Sequence, residues 1–441
     1  MRKSDPYPRR MRPVSFAIYS CALAATLISS SRAFSLTLEE AIQRGMSRSP
    51  QVSQAQADLQ IQIEKKRGAW SNVGPKASVT YNETRFPDQQ IAKFGEQEIV
   101  LRDDVTKMGS LTVTQPITGL YGLVEYGHFN SLQTDFSEEG LRKAKRDAGY
   151  AAAESYLQAY QAQEQQVISE ASIAAAKSAY QDAQVLQRVG RLNQGDLLKF
   201  QLALSQAAAR AAQARATRQI TMAALQAAIQ AGPGEELTLQ KELPRLAEEP
   251  KIDEAKPNGT RVEVRQAQLA AEIADYSKKL AYAKMVPSVN VFAKWDRNFG
   301  EVTGLGGEKD SNYVGVAVQW DIWNNGSSIF EVREAVAQRA RADAYLAGVN
   351  DAMRLDAVQA NENYKAARES MVLAQSGVAQ AEEAYRIDQS RFKNGQISAT
   401  DLIQSETAKS NAQGQLVTAQ TQLILWHLRA QKALGQEEPR L

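Results

Sequence analysis

The chain has 441 residues, enough for two or three ordinary domains. Its 52 Lys and Arg residues nearly balance 50 Asp and Glu residues, and the formal net charge of +2 excludes the basic surface typical of nucleic-acid-binding proteins. The two histidines, His128 and His427, are far apart and lack neighbouring thiol or carboxylate ligands, so no metal site is expected. The single cysteine, Cys21, excludes an internal disulfide.

The first 33 residues have the layout of a secretory signal peptide. Residues 1–12 are strongly cationic, residues 14–28 are largely apolar, and small residues occupy the −3 and −1 positions of a cleavage site after Ala33. The apolar run is shorter than the ~20 residues that a membrane anchor needs. Lipidation of Cys21 is disfavoured because the apolar run would continue past the cleavage point. The sequence therefore predicts an exported protein.

Helical patterns follow the predicted signal peptide. Residues 37–40 (Thr-Leu-Glu-Glu) have the spacing of a capping box, and Pro50 favours a new start of the helix, which continues toward Arg67. Farther along, the helical pattern from Asn130 to Val189 covers about 60 residues, or roughly 90 Å at 1.5 Å per residue. Such a helix is too long for a compact domain.

Four segments alternate between apolar residues and small or polar residues with a period of two. A polar loop over residues 83–109 separates the first two segments, and a Gly-rich loop over 300–312 separates the last two. This pattern suits a barrel wall between lipid and water, although a soluble sheet with one buried face has the same period. The apolar positions are Ala77, Val79 and Tyr81; the segment Leu111–Ile117; Val289, Val291, Ala293 and Trp295; and Val314, Val316, Val318, Trp320 and Ile322.

Four strands cannot close a barrel around a lumen, and their edges would be unpaired in hydrocarbon. After the signal peptide no window of the sequence is apolar enough for a transmembrane helix, so a membrane protein of this sequence would have to span as a shared barrel. Two chains would give eight strands and a filled interior, whereas three would give twelve strands and an open lumen. An oligomer is expected, and the strand count favours three copies.

The sequence is repeated at an offset of 205 residues. Residues 190–198 match residues 395–403, and residues 111–117 match residues 316–322. Each half is predicted to contain a helix, two strands and two long helices. The predicted segments are the signal peptide (1–33), the first repeat (34–231), a connecting segment (232–259), the second repeat (260–435) and a C-terminal tail (436–441).

The long helices of the second half carry a heptad pattern. Large residues recur every seven positions, and alanines occur four residues before the first four of them. This spacing predicts a coiled-coil seam with close helix packing. The large residues are Tyr364, Met371, Val378, Tyr385 and Phe392, and the alanines are Ala360, Ala367, Ala374 and Ala381.

Taken in order, these motifs resemble the TolC family of outer-membrane efflux proteins. The resemblance rests on the Leu36–Ala41 opening, the strand starts at Pro75 and Pro287, the Gln115–Ile117 segment, and both Gly-x-[Leu/Ile]-x-x-x-Asp-Leu turns. It implies a mainly α-helical homotrimer with a twelve-stranded β-barrel in outer-membrane lipid and a twelve-helix tunnel in the periplasm. It also implies that residues 232–259 form a collar, and that cargo arrives from an inner-membrane pump of RND, ABC or related type through a periplasmic adaptor.

The resemblance places the two helix–helix turns at the periplasmic tip, where the adaptor docks. Four residues are implicated at the pore constriction: Asp401, which matches a family carboxylate ring, and also Asp196, Phe392 and Gln404. The spacing Asn193-x-x-Asp196 is equally consistent with helix capping alone. The tip residues are Val189, Gly190, Arg191 and Leu192 in the first turn and Asn394, Gly395, Gln396 and Ile397 in the second.

This sequence departs from the best-known family member at the tip. Ile397 replaces an arginine, Gln404 replaces a second aspartate, and Phe392 replaces a tyrosine, so the arginine–aspartate latch of that member cannot be transferred. No nucleotide-binding or hydrolase motif occurs, which predicts a passive duct without cofactors rather than an enzyme. The alternative is a periplasmic or surface coiled-coil structural protein with a soluble sheet. A diffusion porin would devote more of its length to strands.

Overall fold

The computed structural model describes residues 35–436 except 96, 233–234, 236, 245, 247–260 and 300–308. The predicted signal peptide with Cys21, most of the connecting segment 232–259 and residues 437–441 of the predicted tail lie outside the described residues. The elements are β1 (Ser35–Leu36), α1 (Leu38–Arg48), α2 (Pro50–Ser71), β2 (Lys76–Arg85), β3 (Gln90–Phe94), β4 (Gln97–Arg102), β5 (Val105–Pro116), α3 (Gly119–Arg188), α4 (Gln194–Ala228), β6 (Thr238–Leu239), α5 (Val262–Ala283), β7 (Ser288–Asn298), β8 (Asp310–Gln319), α6 (Ser327–Lys393) and α7 (Ala399–Ala433).

Each half contains two main strands followed by two long helices, β2 and β5 with α3 and α4 in the first and β7 and β8 with α6 and α7 in the second. The start of α1 is capped as its sequence predicts, because the Thr37 side chain accepts a hydrogen bond from the backbone N–H of Glu40 at 3.1 Å. A new helix then begins with Pro50 in its first turn. The first half thus has two helices before its strands, whereas α5 alone precedes the strands of the second half.

The four main strands form one antiparallel sheet in the order β2-β5-β7-β8. Its register aligns Val79 with Leu111 and Leu111 with Trp295, and it places Val316 beside Val291. The apolar positions of all four strands therefore share one face, as the alternation predicts. That face is uncovered in the protomer, where Val79 is 80% exposed. Within the described residues, β2 and β8 are edge strands of ten residues each.

The predicted loop over residues 83–109 is wrong, because most of it is strand. β2 extends to Arg85, β5 begins at Val105, and β3 and β4 form a hairpin between them. The backbone N–H of Phe86 donates to the carbonyl of Asp104 at 2.7 Å, so the hairpin continues the pairing of β2 and β5. Glutamine, lysine and glutamate side chains occupy part of the hairpin and hide the apolar alternation that residues such as Ile91 and Ile99 supply.

The long helices form two hairpins, α3 with α4 and α6 with α7. α3 has 70 residues, which corresponds to roughly 105 Å. The predicted seam of α6 is confirmed, since Ala360, Tyr364 and Ala367 are buried and the later seam positions up to Tyr385 are half-buried. Among the described helices, none has a segment long and apolar enough to cross a membrane.

The main hydrophobic core lies midway along α3. There, α1 from the start of the first half packs beside the last turns of α4 and α7. Tyr156 is 1% exposed, and its hydroxyl donates to the carbonyl of Leu36 at 3.1 Å. β1 pairs in parallel with β6, which aligns Leu36 with Leu239. The Tyr160 hydroxyl donates to the carbonyl of Lys241, also at 3.1 Å. Residues 237–244 thus pack on α3, and the assignment of the whole segment 232–259 to a collar stays a prediction.

A buried charge network ties α3 to α5 beside this core. The Arg146 side chain is 3% exposed and contacts Glu263 at 2.6 Å and Asp147 at 2.9 Å. Lys432 extends the network into α7 through Asp147, at 3.0 Å. Burial raises the pKa of Glu263, but the hydrogen bonds and positive charge of Arg146 outweigh this effect and lower it to about 2. Arg146 and Glu263, the central pair of this network, are 117 residues apart in sequence.

Candidate functional site at the turns of the helical hairpins

Both helix–helix turns end their first helix with the same backbone motif. Gly190 and Gly395 have φ values of +75° and +72°, a left-handed conformation that glycine adopts without strain. The N–H of Arg191 donates to the carbonyl of Leu186 at 2.8 Å, and the N–H of Gln396 makes the equivalent bond in the second turn at 2.9 Å. These are Schellman motifs, and they explain why glycine occurs at both repeat-related positions.

Both turns start the next helix with a side-chain cap. The Asn193 side chain accepts from the N–H of Asp196 at 2.7 Å. In the second turn, Ser398 Oγ accepts from the N–H of Asp401 at 3.2 Å while Asp401 Oδ2 accepts from the N–H of Ser398 at 3.1 Å, which completes a capping box. Each aspartate therefore has a structural role at a helix N-terminus, where negative charge is favourable.

The two aspartates differ in their electrostatic surroundings. Lys199 donates to Asp196 Oδ1 at 2.8 Å, and this hydrogen bond lowers the pKa of Asp196 despite the opposing effect of desolvation. Lys199 thereby offsets the negative charge of Asp196. Asp401 is exposed, and its side-chain hydrogen bonds within the described residues are those with Ser398. Of the two aspartates, Asp401 is therefore the one whose negative charge is not offset by a hydrogen-bonded lysine among the described residues.

Gln404 is exposed one helical turn after Asp401. The next exposed positions of α7 follow Gln404 at intervals of four, three, four and seven residues, which describes one stripe along the helix. After Asp401 this stripe contains four amide side chains and Ala408, and no further carboxylate up to Gln422. The exposed amides are Gln404, Asn411, Gln415 and Gln422.

Phe392 does not line a pore in this structure. It is 4% exposed and meets Phe200 edge to face, with ring centroids 5.2 Å apart and planes inclined by 64°. Ala183, Ala399 and Leu402 complete the buried part of this tip core. Phe392 occupies a heptad position, and its side chain is buried inside the protomer. This burial contradicts its expected place at the pore constriction. Phe200 was not predicted as a site residue, although Phe200, Ala207 and Ala214 are buried at intervals of seven.

The structure brings the two turns together at one end of the protomer. Lys199 Nζ lies 3.4 Å from Thr400 Oγ1, which connects the second turn of α4 to the first turn of α7. A Cβ atom on Gly395 would lie 3.7 Å from the Arg191 guanidinium. Most of the predicted docking residues are exposed, while Leu192 and Ile397 are half-buried against the tip core. The exposed tip residues are Val189, Gly190, Arg191, Asn394, Gly395 and Gln396.

The described residues contain no group of three or more histidine, cysteine, aspartate or glutamate side chains arranged to hold a metal ion. The features of the tip are instead two glycine turns, one exposed carboxylate and a polar stripe. These features suit protein docking and an aqueous passage.

Comparisons with known proteins agree with this architecture. The family model described as "Outer membrane efflux protein" matches residues 258–436. The outer membrane efflux protein BepC of Brucella suis biovar 1 (strain 1330) is 22% identical over 405 residues, which cover 91% of this chain and 84% of BepC.

Two crystal structures have the same fold. The outer membrane protein VceC of Vibrio cholerae matches with a TM-score of 0.77 and 18% identity, over 90% of this chain and 96% of VceC. The CmeC outer membrane channel of Campylobacter jejuni matches with a TM-score of 0.80 and 14% identity, over 98% of this chain and 95% of CmeC. The family model thus matches the second half of the chain, and the two solved structures show the same fold over nearly all of it.

Proposed function

We propose that this chain is an outer membrane efflux protein and that three copies form a passive exit duct, which receives cargo from an inner-membrane pump through a periplasmic adaptor. The observation that carries the proposal is the four-stranded sheet, which has an uncovered apolar face and two unpaired edges. The same chain also contains helices of roughly 100 Å. In hydrocarbon, unpaired backbone groups cost several kcal/mol each. Pairing β2 of one copy with β8 of the next removes both edges.

Three copies suit this sheet better than two. Three protomers give twelve strands and a lumen, whereas eight strands leave an interior that side chains fill. The face opposite the apolar one is suitable for a wet lumen, since it carries Ser110 beside Asp296 and an ion pair of Lys294 with Asp296 at 3.1 Å. The alternating faces thus separate lipid from water as in other membrane barrels.

The tip has the features of a docking and constriction site. Three copies would present three exposed Asp401 carboxylates around the axis, and such a ring favours cations. The exposed turns around Gly190 and Gly395 would form the docking surface for the adaptor. Asp196 would contribute less to the ring, because Lys199 is hydrogen-bonded to it at 2.8 Å.

The alternative function is a structural coiled-coil protein with a soluble sheet. In that case Val79 and Val314, which are 80% and 77% exposed, would face water or need a protein cover. The exposed apolar face favours the membrane duct.

The experiment that tests the proposal is to measure the mass and conductance of the purified full chain. Light scattering in detergent should give a protein mass three times that of the mature protomer, and planar bilayers should show discrete channels with small currents. Fractionation of the expressing cells should recover the chain in outer membranes. Recovery as a soluble monomer or dimer would refute the duct and favour the structural alternative.

A further inference from the structure

A recess lies where the sheet meets the helices. Its volume is about 710 Å³, and it is lined by the start of α3, the end of α5 and the start of α6. Ser288 and Gln319 pair across β7 and β8, and both line the recess. Lys294 and Asp296 follow Ser288 at even intervals along β7, so all of these polar residues share the face opposite the apolar one. The recess therefore opens toward the proposed lumen.

A second cavity, of about 640 Å³, continues this recess along the helices. The two cavities share the lining residues Gly122, Ala283, Lys284 and Glu331, and together they form one groove, here called the junction groove. In this part of the chain α5 lies between α3 and α6 and contacts both. Cavities of roughly 300–1,000 Å³ accommodate small organic molecules. Each part of the junction groove is thus large enough for one such molecule.

The α3 wall of the junction groove is aromatic. Tyr126 and Phe129 both line it, and their rings are stacked with centroids 6.2 Å apart and planes inclined by 11°. The Tyr126 side chain is 42% exposed, and Leu280 adds apolar surface from α5. Aromatic rings stabilise an apolar body by contact and attract a cation through the negative potential of their faces. This wall therefore suits a molecule that combines an apolar body with a positive charge.

The α6 wall of the junction groove is acidic. Glu331 and Glu334 line it on α6, and Asp321 lines it at the end of the sheet. The lining contains one lysine, Lys284, which pairs with Glu331 at 2.9 Å. Three carboxylates against one lysine leave a formal excess of two negative charges. Glu334 accepts a hydrogen bond from the neutral Gln338 side chain at 2.9 Å, and within the described part of the chain it has no ion-pair partner.

We infer that the junction groove binds organic monocations with an aromatic or branched alkyl body. The body packs against Tyr126 and Phe129, and the positive charge is attracted by Glu334 across the groove. A neutral molecule of the same shape lacks this attraction, and an anion is repelled. The role of the groove rests on the proposed function: three copies would place three grooves around one lumen, where the wall of the duct would retain such cations during their passage.

The test compares tetraphenylphosphonium with tetraphenylborate, two ions of nearly the same shape and opposite charge. Equilibrium dialysis of the purified full chain measures the binding of each ion, with detergent alone as the reference. Tetraphenylphosphonium should bind several-fold more tightly than tetraphenylborate. Glu334→Gln should weaken its binding several-fold, because the substitution removes a negative charge and keeps the size of the side chain. Glu383→Gln is the matched control on the same helix and should bind tetraphenylphosphonium as the native chain does.

A second pair of variants tests where the cation binds. Gly122 lines both cavities, and a Cβ atom there would meet the Ala283 Cβ at 3.6 Å, an ordinary contact. Gly122→Leu should therefore leave the fold intact while its side chain extends into the junction groove, and tetraphenylphosphonium binding should fall several-fold. Gly348→Leu is the matched control, because Gly348 is an exposed position of α6 where a Cβ atom meets no atom within 4 Å.

Equal binding of the two ions would overturn the inference, as would tetraphenylphosphonium binding that both Glu334→Gln and Gly122→Leu leave unchanged. Should Gly122→Leu prevent folding, Glu334→Gln decides alone, because Glu334 is exposed and its replacement disturbs no packing. Mass and conductance test the duct separately. Discrete channels that bind no tetraphenylphosphonium would refute the groove and leave the duct. Bound tetraphenylphosphonium, lost in Glu334→Gln, on a chain that forms no trimer would support the groove and refute the duct.

Discussion

The rings of Phe200 and Phe392 meet edge to face with centroids 5.2 Å apart, and this contact joins α4 of the first half to α6 of the second. The two residues are 1% and 4% exposed. The tips of both helical hairpins are therefore held together inside one protomer by apolar packing. Aromatic packing thus connects the hairpin tips in a chain whose sequence lacks the arginine of the arginine–aspartate latch.

Removing one ring should loosen the tip. Phe392→Ala leaves a cavity in the tip core, and truncation of a buried phenylalanine costs about 3–5 kcal/mol. Hydrogen exchange should accelerate in the first turns of α4 and α7, while the core around Tyr156 keeps its protection. Phe392→Leu is the matched control and should retain most of the protection. Equal protection of the tip in the native chain and in Phe392→Ala would contradict the packing role.

Neutralising Asp401 should alter ion selectivity. Asp401→Asn keeps a capping side chain but removes the charge, so the preference of single channels for cations and their block by polyvalent cations should decrease. Asp196→Asn is the matched control in the equivalent turn, and its effect should be smaller because Lys199 already offsets that carboxylate. Reversal potentials in a salt gradient measure both variants. An Asp401→Asn channel with native selectivity would exclude the acidic ring.

Bulky residues at the turn glycines should weaken docking to the adaptor. Gly395→Val forces a β-branched residue into a φ of +72°, which strains the Schellman motif locally. The trimer should persist because its sheet is remote from the tip. Adaptor binding is measured by co-purification or surface plasmon resonance. Gly377→Ala is the control, because a Cβ there meets no atom within 4 Å and the position lies within α6. Loss of the trimer in Gly395→Val would show that the turn has another role.

The Arg146–Glu263 pair should make stability fall in acid. The pKa of Glu263 is lowered to about 2 in the folded chain, below its ordinary value, so its contribution is present above about pH 4.3 and is lost as pH falls through 2. The contribution is about 2–3 kcal/mol. Glu263→Gln should reduce stability at pH 7 and flatten this acid dependence in chemical denaturation.

The matched control for this pair is Glu383→Gln, which removes an exposed partner of Arg386. It should change stability little, because exposed ion pairs contribute little. If Glu263→Gln and Glu383→Gln have the same acid profile, the buried network between α3 and α5 does not stabilise the fold.

The periodic parts of the fold could be predicted from the sequence. Val314, Val316 and Val318 alternate because strand side chains alternate, and Tyr364 and Ala367 recur because a coiled coil repeats every seven residues. Both patterns are local and survive without knowledge of their partners. The turn glycines could be read in the same way, since Gly190 and Gly395 satisfy a backbone requirement.

Other features depend on contacts that are distant in sequence. Arg146 and Glu263 are 117 residues apart, and no local pattern pairs them. The β3–β4 hairpin was missed because its polar residues outweigh its apolar alternation. Phe392 shows a different error: its heptad position indicated burial, whereas the resemblance suggested a pore role, and the packing with Phe200 decides for burial.

The two unpaired edges of the sheet also have a consequence for biogenesis. A lone protomer that entered the bilayer would carry ten-residue strands with unsatisfied backbone groups on both sides, at a cost of several kcal/mol per group. Insertion and subunit association must therefore occur together, and the rate of channel formation should rise more steeply than linearly with the supply of exported chains. A partial assembly would remain in the periplasm, where its apolar face makes it a natural client for holding chaperones.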